Sequence, residues 1–220
     1  MTVLSVVSSS VLMPLRGDGT DDLKQMAIEY FEYQGVKWDE KKYWGYGCHC
    51  IIGDRSITSG LPVDRLDHAC FQYKMCQKCV RDEHGDKCVG AGYRYQWNWN
   101  KRHEILEILS IPATCERELG ECDRKFVHDM YRNRAVYSDA YSYHYGNFDR
   151  LDSPNCPTVG AGANGIGGHG SGGNGAGVRN AGSFQCCGGY NTPWLWINTN
   201  HHQCCPLGNT AIVKRLGSIC

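Results

Sequence analysis

The segment from Tyr46 to Cys76 decides the fold of this chain, and it reads YGCHCIIGDRSITSGLPVDRLDHACFQYKMC. Two closely spaced cysteines are followed by a loop. Residues 61–64, Leu-Pro-Val-Asp, then predict the start of a helix with proline in its first turn. Apolar and cysteine residues recur beyond this point at helical spacing: Leu66, Ala69, Cys70, Tyr73 and Cys76. The segment therefore predicts a helix that carries cysteines on its buried face.

The cysteine content indicates the compartment. Fourteen cysteines in 220 residues predict a disulfide framework formed under oxidising conditions. Zinc binding is the alternative, but only Cys76 and Cys79 have the spacing of a paired zinc ligand, and the doublets at 186–187 and 204–205 do not. Disulfides are favoured, and we expect a secreted, extracellular protein.

The balance of charge and the hydropathy of the chain give no reason to expect a strongly charged partner or a membrane span. Lysine plus arginine and aspartate plus glutamate both total 23, so neither nucleic acid nor an anionic membrane is required as an electrostatic partner. The apolar, serine-interrupted stretch Met1–Met13 is a poor match to a secretory signal. No stretch approaches the roughly 18 apolar residues that a membrane span needs. We expect a soluble or matrix-bound protein.

Three more segments have regular patterns. Thr20 or Asp21 can cap a helix that ends at Gly35, and residues 115–133 have helical periodicity. Residues 93–99 alternate aromatic with polar side chains, as in one strand of a hairpin. Cysteines lie on the inner faces of the helices at 61–76 and 115–133, so we expect these two helices to be disulfide-linked.

These segments together resemble the secreted phospholipase A2 family. Residues 46–50 and 60–67, with Cys70 and Cys76, resemble its calcium loop and first long helix, and Cys122-Asp123-Arg124 resembles its second. The resemblance covers residues 21–156. It implies a mainly α, disulfide-rich, phospholipase A2-like fold with two antiparallel disulfide-linked helices, an N-terminal helix and a small β-hairpin.

The resemblance also implies three disulfide bridges: Cys50 to Cys70, Cys76 to Cys122, and Cys88 to Cys115. Where the family has two adjacent cysteines in the first long helix, this chain has Ala69-Cys70, and the partner of the missing cysteine falls at Asp129. Both halves of that bridge are absent together. The pairing of Cys48, Cys79, Cys156 and the tail cysteines is left open.

The resemblance places the family's catalytic histidine and calcium-binding aspartate at Tyr73 and Lys74. A phenol with a pKa near 10 is a poor base at neutral pH, and lysine brings a positive charge where a calcium ligand is needed. The loop 51–61 has also lost most of the family's glycines. We therefore expect no catalytic residues, no metal and no cofactor. The family's orienting aspartate is kept as Asp123, which we expect to accept a hydrogen bond from Tyr73 or to neutralise Lys74.

Residues 1–20 form a leader that contains Arg16-Gly17-Asp18, the tripeptide that many integrins bind. A short motif of this kind also arises by chance in proteins that bind no integrin. Adhesion and chance occurrence are both kept as interpretations.

Two further regions, a glycine-rich segment and a short cysteine-rich tail, follow the phospholipase A2-like region. Residues 157–183 are rich in glycine and predict either a flexible linker or a segment that orders by close backbone packing in an assembly. Residues 184–220 resemble the di-cysteine repeat of galaxin-type skeletal matrix proteins, and we expect a small disulfide knot with exposed aromatic surface. His201-His202 beside Cys204 is a metal-binding alternative, which the oxidising compartment disfavours.

The sequence favours a non-catalytic extracellular structural, assembly or matrix protein built on an inactive phospholipase A2 scaffold. One alternative is a calcium-independent lipid-binding or membrane-perturbing protein, and another is weak residual phospholipase A2 activity. The expected partners are extracellular proteins or further copies of the chain, with an integrin or lipid as alternatives and no nucleic acid.

Overall fold

A computed structural model describes residues 19–51, 60–152, 155–156 and 183–220. Arg16-Gly17-Asp18, residues 52–59 of the loop and nearly all of the glycine-rich region lie outside the described residues. The helices are α1 (Gly19–Tyr33), α2 (Glu40–Tyr43), α3 (Arg65–His84), α4 (Cys115–Asn133) and α5 (Tyr143–Gly146). The strands are β1 (Trp97–Asn100), β2 (Ile105–Ile108), β3 (Phe184–Gly189), β4 (Thr192–Asn198), β5 (His202–Leu207) and β6 (Thr210–Arg215).

Helices α3 and α4 form the centre of the molecule. They run antiparallel: the Cys70 sulfur lies 3.9 Å from that of Met130, and His84, at the other end of α3, lies beside Glu118. Phe126 and Met130 of α4 are buried in the core, which α1 completes. In the described ranges, no helix has both the length and the apolar character needed to cross a membrane.

The start of α3 is set by an aspartate cap. The Asp64 carboxylate accepts backbone N–H bonds from Leu66 and Asp67 at 2.8 and 2.9 Å, which satisfies donors that have no partner within the helix. The helix therefore begins at Arg65, and the prediction that Pro62 lies in its first turn is wrong. Helix α4 spans Cys115–Asn133 as predicted, and α1 begins at Gly19, before the predicted caps at 20 and 21.

The predicted hairpin is formed by β1 and β2, which pair antiparallel with Trp99 opposite Leu106. It packs against α4 at Gly120. A Cβ atom at this position would lie 2.8 Å from Ile108 Cγ2 and 2.9 Å from Tyr95 Cδ2. Glycine is required here because the hairpin approaches the helix backbone too closely for a larger side chain.

All fourteen cysteines lie in described parts of the chain and none is free. Three bridges are the pairs that the family resemblance implies: Cys50–Cys70, Cys76–Cys122 and Cys88–Cys115. The four whose pairing the sequence left open are Cys48–Cys156, Cys79–Cys186, Cys187–Cys204 and Cys205–Cys220. Cys79 thus connects α3 to the tail across 107 residues of sequence.

The tail consists of two antiparallel hairpins, β3–β4 and β5–β6. The bridge between Cys187 and Cys204 joins one hairpin to the other. Strand β4 lies against both α3 and α4. Trp194 packs against the core and Ile197 is buried, whereas Trp194 and Trp196 both stay partly exposed, so the expected exposed aromatic surface is present only in part.

A buried carboxylate holds the tail in place. Glu118 of α4 is 3% exposed, and it accepts the Trp194 indole N–H at 2.6 Å and the Tyr190 backbone N–H at 2.9 Å. His84 Nε2 lies 3.1 Å from the same carboxylate. A charged acceptor with two aligned donors makes strong hydrogen bonds, so Glu118 fixes the first hairpin on the helix pair.

Replacing Glu118 should loosen the tail. In Glu118→Ala the Trp194 and Tyr190 donors lose their acceptor, and we expect the free energy of unfolding to fall by about 1 to 3 kcal/mol. Amide hydrogen exchange measured by mass spectrometry should rise in β3 and β4. The control is Glu116→Ala on the same helix, where the side chain is partly exposed. Equal protection of β3–β4 in both variants would contradict the role assigned to Glu118.

Candidate functional site

Tyr73, at the position that the resemblance gives to a catalytic base, lies buried between α3 and α4. Its hydroxyl donates to Asp123 Oδ1 at 2.7 Å and accepts from the Gln77 amide at 2.7 Å. The Tyr95 hydroxyl donates to the second oxygen, Asp123 Oδ2, at 2.5 Å. The ring of Tyr73 stacks on Phe126 with 4.4 Å between centroids. We refer to Tyr73, Gln77, Tyr95 and Asp123 as the Tyr73 cluster.

The electrostatics of the Tyr73 cluster oppose ionisation of its phenols. Burial, and then the nearby Asp123 carboxylate, raise the pKa of Tyr73 and of Tyr95 well above the ordinary value. Burial also raises the pKa of Asp123 to about 7, although the two tyrosine hydrogen bonds act in the opposite direction. Tyr73 is therefore a neutral hydrogen-bond donor near neutral pH, and a protonated phenol cannot take a proton from water.

Of the two roles expected for Asp123, the hydrogen bond from Tyr73 is present. Lys74 is partly exposed, and its positive charge contributes to a lowered pKa at His49, in the loop before α3. The structure thus separates two residues that are adjacent in sequence. Tyr73 belongs to the interior of the helix pair, and Lys74 belongs to the surroundings of the loop.

That loop is organised by Asp67, a residue that the sequence analysis did not single out. The Asp67 carboxylate is fully buried and accepts three backbone N–H groups, from His49 at 2.7 Å, Cys48 at 2.9 Å and Val63 at 3.0 Å. Burial outweighs these bonds and raises its pKa to about 6. Gly47 has φ +56°, and a Cβ atom there would lie 2.4 Å from Asp67 Cγ. In the sequence, the one signal for this role of Asp67 is its position three residues after the helix cap Asp64.

His49 is the second feature of the loop that the sequence did not reveal. Its side chain is 2% exposed, and Nε2 lies 3.2 Å from the Gly60 carbonyl oxygen, so Nε2 carries the proton in the neutral ring. Nδ1 has no hydrogen-bond partner among the described residues. Burial, with a contribution from Lys74, lowers the pKa of His49 to about 4. The ring is neutral at physiological pH and connects the two ends of the loop.

The described donors on either side of the loop are engaged by other protein groups. The Asp67 oxygens are occupied by backbone N–H groups, and the Gly60 carbonyl faces the His49 ring. In the part of the chain that the structure describes, no three His, Cys, Asp or Glu side chains are grouped so as to hold a metal ion. This includes His201 and His202, which the sequence analysis kept as an alternative.

The fold and the site together define a class: a disulfide-rich scaffold of two long antiparallel helices, preceded by a short looped segment and an N-terminal helix. Residues 23–142 match the family model for phospholipase A2. The chain belongs to the phospholipase A2 family. The matched region includes α1 to α4 and the first hairpin, and the tail from 183 onward lies beyond it.

Curated proteins give the same result. The basic phospholipase A2 homolog blK-PLA2 of Bothrops leucurus is 29% identical over 114 residues, 52% of this chain and 84% of the relative. The basic phospholipase A2 homolog myotoxin II of Bothrops moojeni is 30% identical over 105 residues, 48% and 76% of the two chains. Human group IID secretory phospholipase A2 is 27% identical over 114 residues, 52% and 72%.

Removing one hydroxyl tests whether the Tyr73 cluster stabilises the fold. In Tyr73→Phe the buried Asp123 loses one of its two donors, and we expect the free energy of unfolding to fall by about 1 to 3 kcal/mol. Guanidinium unfolding followed by circular dichroism measures this change. The exposed Tyr143 supplies the matched control, since Tyr143→Phe should shift stability by less than about 0.5 kcal/mol. A Tyr73→Phe variant as stable as wild type would show that the cluster contributes nothing.

His49 should make the protein sensitive to acid. Its folded-state pKa of about 4 lies below the value of 6.5 expected when unfolded, so the unfolded chain binds more protons between these values. The contribution of the neutral ring is complete above pH 6.5 and is lost as pH falls towards 4.

The measurement compares wild type with His49→Gln, which is neutral and keeps a donor for the Gly60 carbonyl. Relative to this variant, wild type should lose on the order of 3 kcal/mol of unfolding free energy over the interval. The same change at the solvent-exposed His103 is the control. Parallel stability curves for wild type and His49→Gln would refute the assignment.

Proposed function

We propose that this protein is a non-catalytic, extracellular member of the phospholipase A2 family that serves as a structural or assembly module. One observation carries the proposal. Where the resemblance places the general base, the buried phenol of Tyr73 donates a hydrogen bond to Asp123 Oδ1 at 2.7 Å. Its pKa lies well above the ordinary value. General-base chemistry needs a group that can accept a proton near the working pH, and Tyr73 is held as a donor.

The proposal includes loss of the calcium site. Calcium takes six to eight oxygen ligands, among them carboxylates and loop carbonyls. The expected carboxylate is replaced by Lys74, whose charge repels a divalent cation. The nearby carboxylate, Asp67, is committed to backbone N–H groups. Without a cation, the oxyanion formed during ester hydrolysis would lack its main electrostatic stabiliser.

The rigidity of the molecule supports a structural role. Seven disulfides cross-link the chain, and they join cysteines that are 15 to 108 residues apart in sequence. Cross-links of this kind restrict the unfolded chain and add stability. They also require an oxidising compartment, and one relative is a group IID secretory phospholipase A2. The leader with its Arg-Gly-Asp motif, the glycine-rich region and the galaxin-like tail are the expected assembly elements.

A second candidate function is calcium-independent lipid binding. It is favoured by relatives with the names basic phospholipase A2 homolog and myotoxin II. The charge of this chain opposes it. The relatives are called basic, whereas this chain has 23 cationic and 23 anionic residues, so attraction to an anionic bilayer lacks its electrostatic component.

We expect no calcium-dependent release of fatty acid from mixed phosphatidylcholine and phosphatidylserine vesicles, because Tyr73 and Lys74 stand at the positions of the general base and the calcium-binding carboxylate. The measurement is fatty acid release with calcium and with chelator, and an active secreted phospholipase A2 serves as positive control. Calcium-dependent release above the chelator baseline would overturn the non-catalytic assignment and support residual activity.

The same vesicles separate the two non-catalytic functions. Co-sedimentation of the protein with vesicles, without hydrolysis, would support lipid binding and oppose the structural module. Self-association in size-exclusion chromatography, with no vesicle binding, is the result that we expect for an assembly protein. A monomer that neither binds vesicles nor self-associates would count against self-assembly.

A further inference from the structure

A cleft of about 580 Å³ lies between the helix pair and the tail. Residues of α3 and α4 form one wall, and residues of the four tail strands β3 to β6, with His201 of the turn before β5, form the other. No member of the Tyr73 cluster lines it. The tail lies beyond the region that matches the phospholipase A2 family, so this cleft exists only because the tail is fixed to the helices through Cys79–Cys186 and Glu118.

The two walls differ in chemistry. The helical wall contributes polar and cationic side chains: Arg65, Gln72 and Lys125. The tail wall is mostly apolar and aromatic: Phe184, Trp196 and Val213. Phe184 and Trp196 stack in parallel, with ring centroids 5.8 Å apart, and the Lys78 ammonium lies 5.2 Å from the centroid of the Trp196 ring. A cleft of this volume, with an apolar side and a few polar groups, has the size and composition of small-molecule sites.

The charges in the cleft favour an anion. Lys125 is paired with Asp129, and both line the cleft. Arg65 is exposed at the start of α3 and forms no salt bridge within the described parts of the chain. Its guanidinium therefore leaves one positive charge in excess on the helical wall. A guanidinium binds carboxylate, sulfonate and phosphate oxygens with paired N–H donors.

We propose that this cleft binds a small anionic amphiphile, a molecule with a flat apolar body and one acidic group. The apolar body lies against Trp196 and Phe184, and the acidic group lies towards Arg65. Neutral hydrogen-bonding groups in the lining, from Gln72 and Asn198, accommodate polar substituents. This assignment is independent of whether the Tyr73 cluster is catalytic, because the two sites share no lining residue.

Two matched probes test the proposal on the full chain. 8-Anilinonaphthalene-1-sulfonate has an aromatic body and one sulfonate, and N-phenyl-1-naphthylamine is the same body without the charge. We expect saturable binding of the sulfonate at one site per chain, followed by its fluorescence. Arg65→Gln should weaken sulfonate binding about tenfold, the loss of one charge-assisted hydrogen-bonded pair, and should change binding of the neutral compound by less than about twofold.

A second variant adds charge without removing volume. Asn198→Asp places a carboxylate in the lining of the cleft and keeps the oxygen that accepts the Asn200 backbone N–H. Because the added charge repels an anion, this variant should also weaken sulfonate binding selectively. Arg102→Gln, on the exposed turn between β1 and β2, is the control for loss of one positive charge. The proposal is overturned if the sulfonate shows no saturable site, if Arg102→Gln weakens it as much as Arg65→Gln, or if both probes lose affinity equally.

Discussion

The burial of Asp123 between the two long helices is the constraint on which the rest of this structure depends. A carboxylate without solvent must be fully hydrogen-bonded or it destabilises the fold by several kcal/mol. Here the two hydroxyls of Tyr73 and Tyr95 occupy its two oxygens. One donor comes from α3 and the other from the segment that leads into the first hairpin, so the carboxylate joins three parts of the chain. Cys122, the residue before Asp123, forms a disulfide with Cys76, which lies three residues after Tyr73 on α3.

Two further buried carboxylates repeat this arrangement at the edges of the helix pair. Asp67 holds the looped segment through three backbone N–H groups, and Glu118 holds the tail through the Trp194 and Tyr190 donors. Each acid lies on a helix and accepts donors from a different segment of the chain, the loop before α3 for Asp67 and the β3–β4 hairpin for Glu118. Buried polar networks of this kind specify one arrangement when every member is satisfied. The scaffold therefore tolerates tyrosine at position 73, where the resemblance places the catalytic histidine, because Asp123 still accepts two hydrogen bonds.

The tail changes what the scaffold presents to its surroundings. Four cysteine bridges were open from the sequence, and one of them connects Cys79 to Cys186 across 107 residues. It fixes the first tail hairpin on α3 and α4, and the second hairpin packs on the first. The helices and the tail together form a cleft that the family region alone does not have. The proposed functions follow from this division. We assign a stabilising role to the Tyr73 cluster in the interior, and we assign binding of partners to surfaces outside it.

The sequence by itself determined the helix at Cys115–Asn133, the approximate position of the other long helices, the first hairpin and three disulfides. The helices and the hairpin follow from local periodicity, and the three disulfides follow from the resemblance to the family. The resemblance also placed Tyr73 and Lys74 at the changed catalytic positions and Asp123 at the one that is kept. Only the tertiary structure decided that Tyr73 and Lys74 have different surroundings, that Asp67 and His49 organise the loop, and that the tail packs on α4. Those outcomes depend on burial and on contacts between residues far apart in sequence, which a local pattern does not encode.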